Sequence, residues 1–139
     1  MNSQEVFDKV FTHLISQGHQ ARGDKAGAGL TTCQYRGKNG SSCAVGCLIP
    51  DEVYTRDMEA MTVKELMCEN DRIASMFSDV DIVLLQRLQT IHDSALNWGK
   101  RGIGPTDKLF VELGRAAELL GLNDTIMRSH PMYRNSLEA

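Results

Sequence analysis

The chain has 139 residues, 42% of them hydrophobic and 24% charged, with a formal net charge of −3. That length supports one ordinary hydrophobic core and not two, so a single globular domain over 1–139 is expected, and the near-average composition excludes disordered and fibrous classes. The mild acidity argues against a broadly basic nucleic-acid surface, and no apolar run is long enough to span a bilayer.

The N-terminal run Met1-Asn2-Ser3-Gln4-Glu5 lacks the basic and apolar regions of a secretion signal, so the expected location is cytoplasmic. Cys33, Cys43, Cys47 and Cys68 are even in number, but a chain with an adequate core and no export signal has little need of disulfides, and free thiols are expected.

In chain order, Val6, Phe7, Val10, Phe11, Leu14 and Ile15 form a helical stripe, with Asn2 or Ser3 available as cap and Gly18 as terminator. Residues 19–30 turn to Gly, Ala and charge and read as a flexible loop. Thr31 to Arg36 is the best strand candidate, with Lys38-Asn39-Gly40-Ser41 able to form a tight turn after it. Residues 43–49 fit either a second hairpin strand or a short helix capped by Ser41 or Ser42. Ala44, Gly46 and Leu48 make a poor strand face, which favours the helix, and Pro50 ends either one.

Asp51 to Tyr54 reads as a short capped turn. Met58, Met61, Val63, Leu66, Met67, Ile73, Met76 and Phe77 mark one or two short helices, with Thr62 as a cap and the methionines as core fillers. Ser78-x-x-Asp81 resembles a capping box opening the longest run, whose stripe Leu84, Leu88, Ile91, Ala95 and Trp98 predicts a central helix. Gly99 to Pro105 breaks it, Thr106 and Asp107 start a helix through Leu120, and Gly121 stops that one. Ile126, Met127, Met132 and Tyr133 can pack a last short segment before an exposed tail at 134–139. The expected fold is therefore mainly α, about five or six helices with a small β-hairpin or strand near 31–36.

Two stretches carry residues suited to chemistry. Cys43 follows small residues at an expected helix start, where backbone N–H groups favour a thiolate, and His92 with Asp93 could serve as its base, a cysteine hydrolase or transferase arrangement. The competing reading makes Cys43 and Cys47 small buried hydrophobes and His92 a packed helix residue. Lys100 and Arg101 lie in a glycine-rich loop leading to Thr106 at a helix N-terminus, a place where a phosphorylated ligand could sit, although no Walker pattern is present and a plain interhelical turn is the favoured reading. The Cys-x9-Cys-x3-Cys-x20-Cys spacing contains no zinc knuckle, so no metal and no cofactor is expected.

Tyr35-Arg36-Gly37, then Cys43-Ala44-Val45-Gly46-Cys47-Leu48-Ile49-Pro50-Asp51-Glu52-x-Tyr54, and later Leu88-Gln89-x-Ile91-His92-Asp93, resemble a family of small proteins encoded by tailed bacteriophages and prophages. The resemblance runs from the first helix to about Leu122 and implies a setting rather than a reaction. In that setting it implies an accessory protein of the host cytoplasm that binds a host or phage protein, in host takeover or counter-defence. A homodimer is compatible with this reading, and neither a membrane nor a nucleic-acid signal accompanies it.

Overall fold

In the computed structural model, residues 1–22 and 34–133 are described. They form a mainly helical, compact unit of six α-helices joined by short 3₁₀ turns and irregular segments. None of these helices is long and apolar enough to cross a membrane.

Helix α1 (Ser3–Gln17) is opened by a capping box in which the Asn2 side chain accepts from Glu5 N–H and the Glu5 carboxylate accepts from Asn2 N–H. It is closed by Gly18 at φ 74°. Its stripe Val6, Phe7, Val10, Phe11 and Leu14 is at most 1% exposed. After a 3₁₀ turn at Arg56–Ala60, α2 (Val63–Glu69) uses Thr62 and Glu65 in a second capping box, and α3 (Asp71–Met76) is capped by Asn70. Helix α4 (Ile82–Asp93) buries Leu84, Leu85 and Leu88. Helix α5 (Asp107–Leu119) buries Leu109, Phe110 and Leu113, and the single-turn α6 (Thr125–Arg128) adds Met127. Helices α1, α4 and α5 meet in the centre, where the Phe11 and Phe110 rings lie 6.3 Å apart. Each such fully buried side chain contributes about 1.5–3 kcal/mol by leaving water.

Several expectations are corrected. Asp81 itself caps α4, accepting from Val83 N–H, so the expected box from Ser78 does not form. The helix stops at Asp93 rather than continuing to Trp98, because side chains take its last carbonyls. Asn97 Nδ2 donates to Ile91 O, while Trp98 Nε1 and Gln20 Nε2 both donate to His92 O. Residues 43–49 adopt neither expected form. A turn leads into one 3₁₀ turn at Gly46–Leu48, with Cys47 N–H donating to Cys43 O.

Among the described residues the hairpin shows one antiparallel bridge, between Arg36 and Ser42, closed by a tight turn with Asn39 at φ 57° and Gly40 at φ 74°, a type I′ geometry suited to Asn-Gly. Residues 31–33 and 134–139 lie outside the described residues, as does 23–30 of the expected loop. Residues 19–22, expected to belong to that loop, instead run as an extended segment against the core, with Gln20 and Ala21 buried.

A Cβ built on Gly46 would lie 2.0 Å from the Tyr35 carbonyl oxygen, so this position admits no side chain. Gly46→Ala is expected to destabilise by about 1–3 kcal/mol through forced overpacking, read as a lower urea midpoint at unchanged slope.

Candidate functional site

The stretch Tyr35 to Glu52 is drawn into one network. The Glu59 carboxylate accepts from the backbone N–H groups of Tyr35 (2.9 Å) and Arg36 (3.1 Å) and from the Tyr54 hydroxyl (2.5 Å). The Arg36 guanidinium donates to Asp51 and to the Ile49 carbonyl, and it stacks over the Tyr54 ring at 5.2 Å. The Tyr35 hydroxyl donates to Met61 O, and burial, followed by the negative character of Cys43, Asp93 and Glu59, pushes its phenol upward. These residues fasten the motif to the 3₁₀ turn at Arg56–Ala60.

Cys43 has no exposed surface, and its sulfur accepts from Gly46 N–H at 3.2 Å. Burial pushes its thiol up to about 12. Asp93 adds to that shift, and contacts with Gly46 and Gln89 oppose it only in part. Cys47 is likewise pushed up to about 12 by burial, with Arg36 opposing. Both stay protonated at neutral pH, the opposite of an activated nucleophile.

His92 is also fully buried. Its Nε2 accepts from Ala21 N–H at 2.9 Å, which fixes the proton on Nδ1, and Nδ1–H donates to Asp93 Oδ1 at 2.8 Å. The Asp–His half of a catalytic arrangement is therefore present in form, but the nitrogen that would act as base is committed to a backbone amide. No hydrogen bond joins Cys43 to His92. The expected catalytic trio Cys43, His92 and Asp93 is instead linked through Gln89, whose Oε1 accepts from Val45 N–H and whose Nε2 donates to Asp93 Oδ1. Gln89 and Gln20 are the residues that sequence reasoning passed over. Gln89 stood inside the Leu88 to Asp93 motif, and Gln20 stood in a stretch read as loop.

Beside this junction opens a polar cleft of about 330 Å³ lined by Tyr35, Glu59, Met61, Gln86, Gln89 and Asp93. The Glu59 oxygens are already committed to the network above. Among the described residues no group of three or more His, Cys, Asp or Glu side chains is placed to hold a metal ion.

The Lys100-Arg101 loop is a second type I′ turn, with Arg101 at φ 59°, Gly102 at φ 75° and Ile103 N–H donating to Lys100 O. Thr106 does not join it. Its N–H donates to Asn97 O and its hydroxyl to Leu96 O, so the expected phosphate cradle of Lys100, Arg101 and Thr106 at the α5 N-terminus is not assembled. 

A wider concavity, of about 690 Å³, lies between α5 and α6. Its walls are Phe110, Val111, Leu122, Met127 and Tyr133, and charged groups including Asp107, Arg115, Glu118, Asp124 and Arg128 rim it. Gly114 keeps it open, since a Cβ there would lie 3.3 Å from the Met127 methyl. Val111 is 50% exposed on its wall, and the nearby sequence adds Leu119 and Met132, also exposed.

Fold and site together define a small mainly α-helical protein whose irregular centre is a hydrogen-bonded junction. Set against family models, curated proteins and solved structures, the chain matches none of them.

The raised thiols give a pH signature. A thiol whose pKa rises on folding holds its proton more tightly in the native state, so its contribution is whole below the ordinary value of 9.0 and is lost as pH climbs towards about 12. Urea unfolding above pH 9 should lose about 1.4 kcal/mol per pH unit for each such thiol, and Cys43→Ala should remove its share of that slope. Iodoacetamide should label exposed Cys68 first in the native protein, the half-buried Cys47 more slowly, and Cys43 only on unfolding.

Proposed function

We propose that this chain is a phage- or prophage-encoded accessory protein that works in the host cytoplasm by binding a host or phage protein. The groove between α5 and α6 is the docking surface, and it receives an amphipathic segment of the partner. The observation that carries this reading is the combination, in one concavity, of an apolar floor (Phe110, Val111, Met127, Tyr133) with a rim of both charge signs. That is the layout of grooves that accept an apolar helix face and fix its register by charge. The resemblance of the Tyr35 to Tyr54 and Leu88 to Asp93 motifs supplies the phage setting. The buried, protonated thiols turn the reading away from catalysis at Cys43.

Val111→Asp tests the docking surface, because half-exposed Val111 contributes little to the core and its replacement should shift stability by no more than about 0.5 kcal/mol. Tagged wild-type protein should retain a partner from phage-infected lysate that the Val111→Asp variant loses, at equal melting temperature. Identical recovery by both proteins would overturn the reading. Co-elution of a second copy of this chain alone, by size and by cross-linking, would reassign the groove to a homodimer.

A further inference from the structure

The two glycine–lysine turns of the chain are built alike and abut the same arginine. Gly37-Lys38-Asn39-Gly40 and Gly99-Lys100-Arg101-Gly102 each place a left-handed residue and a left-handed glycine at the tip, closed by Ser41 N–H to Lys38 O and by Ile103 N–H to Lys100 O, both 3.1 Å. The extended segment 19–22 links them. Gln20 N–H donates to Gly102 O at 2.8 Å, and Lys38 N–H donates to Arg22 O at 3.0 Å. Arg22 is in contact with both turns. A Cβ on Gly37 would lie 2.8 Å from Arg22 N, and one on Gly102 would lie 3.3 Å from Arg22 Cδ. Glycine at both positions is what lets the two turns close onto the arginine.

The charge of this edge departs from that of the chain. Residues 18–22, 36–42 and 99–105 are 19 residues that hold Arg22, Arg36, Lys38, Lys100 and Arg101 and no carboxylate. They carry five positive charges, so in a chain at −3 the other 120 residues carry −8. Arg36 is held by Asp51. Lys100 and Arg101 are exposed and have no ion-pair partner among the described residues, and the buried Arg22 Nε has no hydrogen-bond acceptor among them. The Arg22 guanidinium beside the turn-borne Lys100 and Arg101 suits successive phosphate oxygens, and a localised positive edge on an acidic body orients a polyanion towards it.

We infer that Arg22, Lys100 and Arg101 form a binding edge for the phosphodiester backbone of nucleic acid, a surface separate in its residues from the α5–α6 groove. The contacts are to phosphate, so binding is indifferent to sequence and strongly salt-dependent.

The test is fluorescence anisotropy of wild-type protein with a labelled mixed-sequence duplex of about 20 base pairs, and with a single strand of equal length, across a range of salt. Binding in the micromolar range at about 50 mM salt is expected, with log K falling against log salt at a slope near −2 to −3 for the duplex, as about three phosphate contacts require. Lys100→Gln with Arg101→Asn removes two cations while keeping a residue suited to the left-handed position, as Asn39 is in the other turn. That variant should bind at least about tenfold more weakly, with the duplex slope reduced by about 2. Val111→Asp should bind as wild type does. Absence of binding to both probes, a wild-type slope near zero, or equal affinity of the double variant would each overturn the proposal. The wild-type slope decides the matter even if the variant does not fold.

Discussion

The buried run Ser41 to Gly46 has neither a sheet nor an α-helix to absorb its peptide groups, and the rest of the centre is arranged to supply them. Buried backbone N–H and C=O groups must find partners, since each orphan costs as much as a lost hydrogen bond. Some are met by neighbouring backbone, as where Cys43 N–H donates to Tyr35 O and Cys47 N–H to Cys43 O, and the others by side chains. Gln17 both accepts from Ser42 N–H and donates to Ser42 O, His13 donates to the same carbonyl, and Gln89 accepts from Val45 N–H. Even the two thiols are used, Cys43 accepting from Gly46 N–H and Cys47 donating to Ala44 O. A glutamine can present an acceptor and a donor together, which is what a missing neighbouring strand would have offered.

The same need accounts for the fate of the residues that looked reactive. His92 is placed where the last turn of α4 meets the extended segment 19–22, and the segment's Ala21 N–H takes the ring nitrogen that a catalyst would leave open. Asp93 then holds the other nitrogen and, through Gln89, the Val45 region. Histidine and aspartate meet directly, and Gln89 joins the aspartate to Val45, two residues from Cys43, so these residues build a junction of three chain segments.

How much of this was legible depended on where the signal resided. Helices α1 and α5 were readable because their apolar periodicity and their terminators, Gly18 and Gly121, stand next to one another in the chain. The end of α4 was not, because Ala95 and Trp98 continue its periodicity while the stop comes from Asn97, Trp98 and the distant Gln20 capturing carbonyls. The form of 43–49 was hidden for the same reason, as its partners lie on α1 and α4. The Lys100 loop takes the turn form that its glycines favour, and Gly-Lys-Arg-Gly repeats the spacing of Gly-Lys-Asn-Gly, a likeness that was the clue to its exact geometry.

The hydrogen bonds from the 19–22 segment to His92 close loops of 71 and 72 residues. Loops of that length are costly to close before other contacts reward them, so the junction belongs to the late part of folding. During synthesis the side-chain amide of Gln20 and the N–H of Ala21 have no His92 to meet until about two thirds of the chain exists.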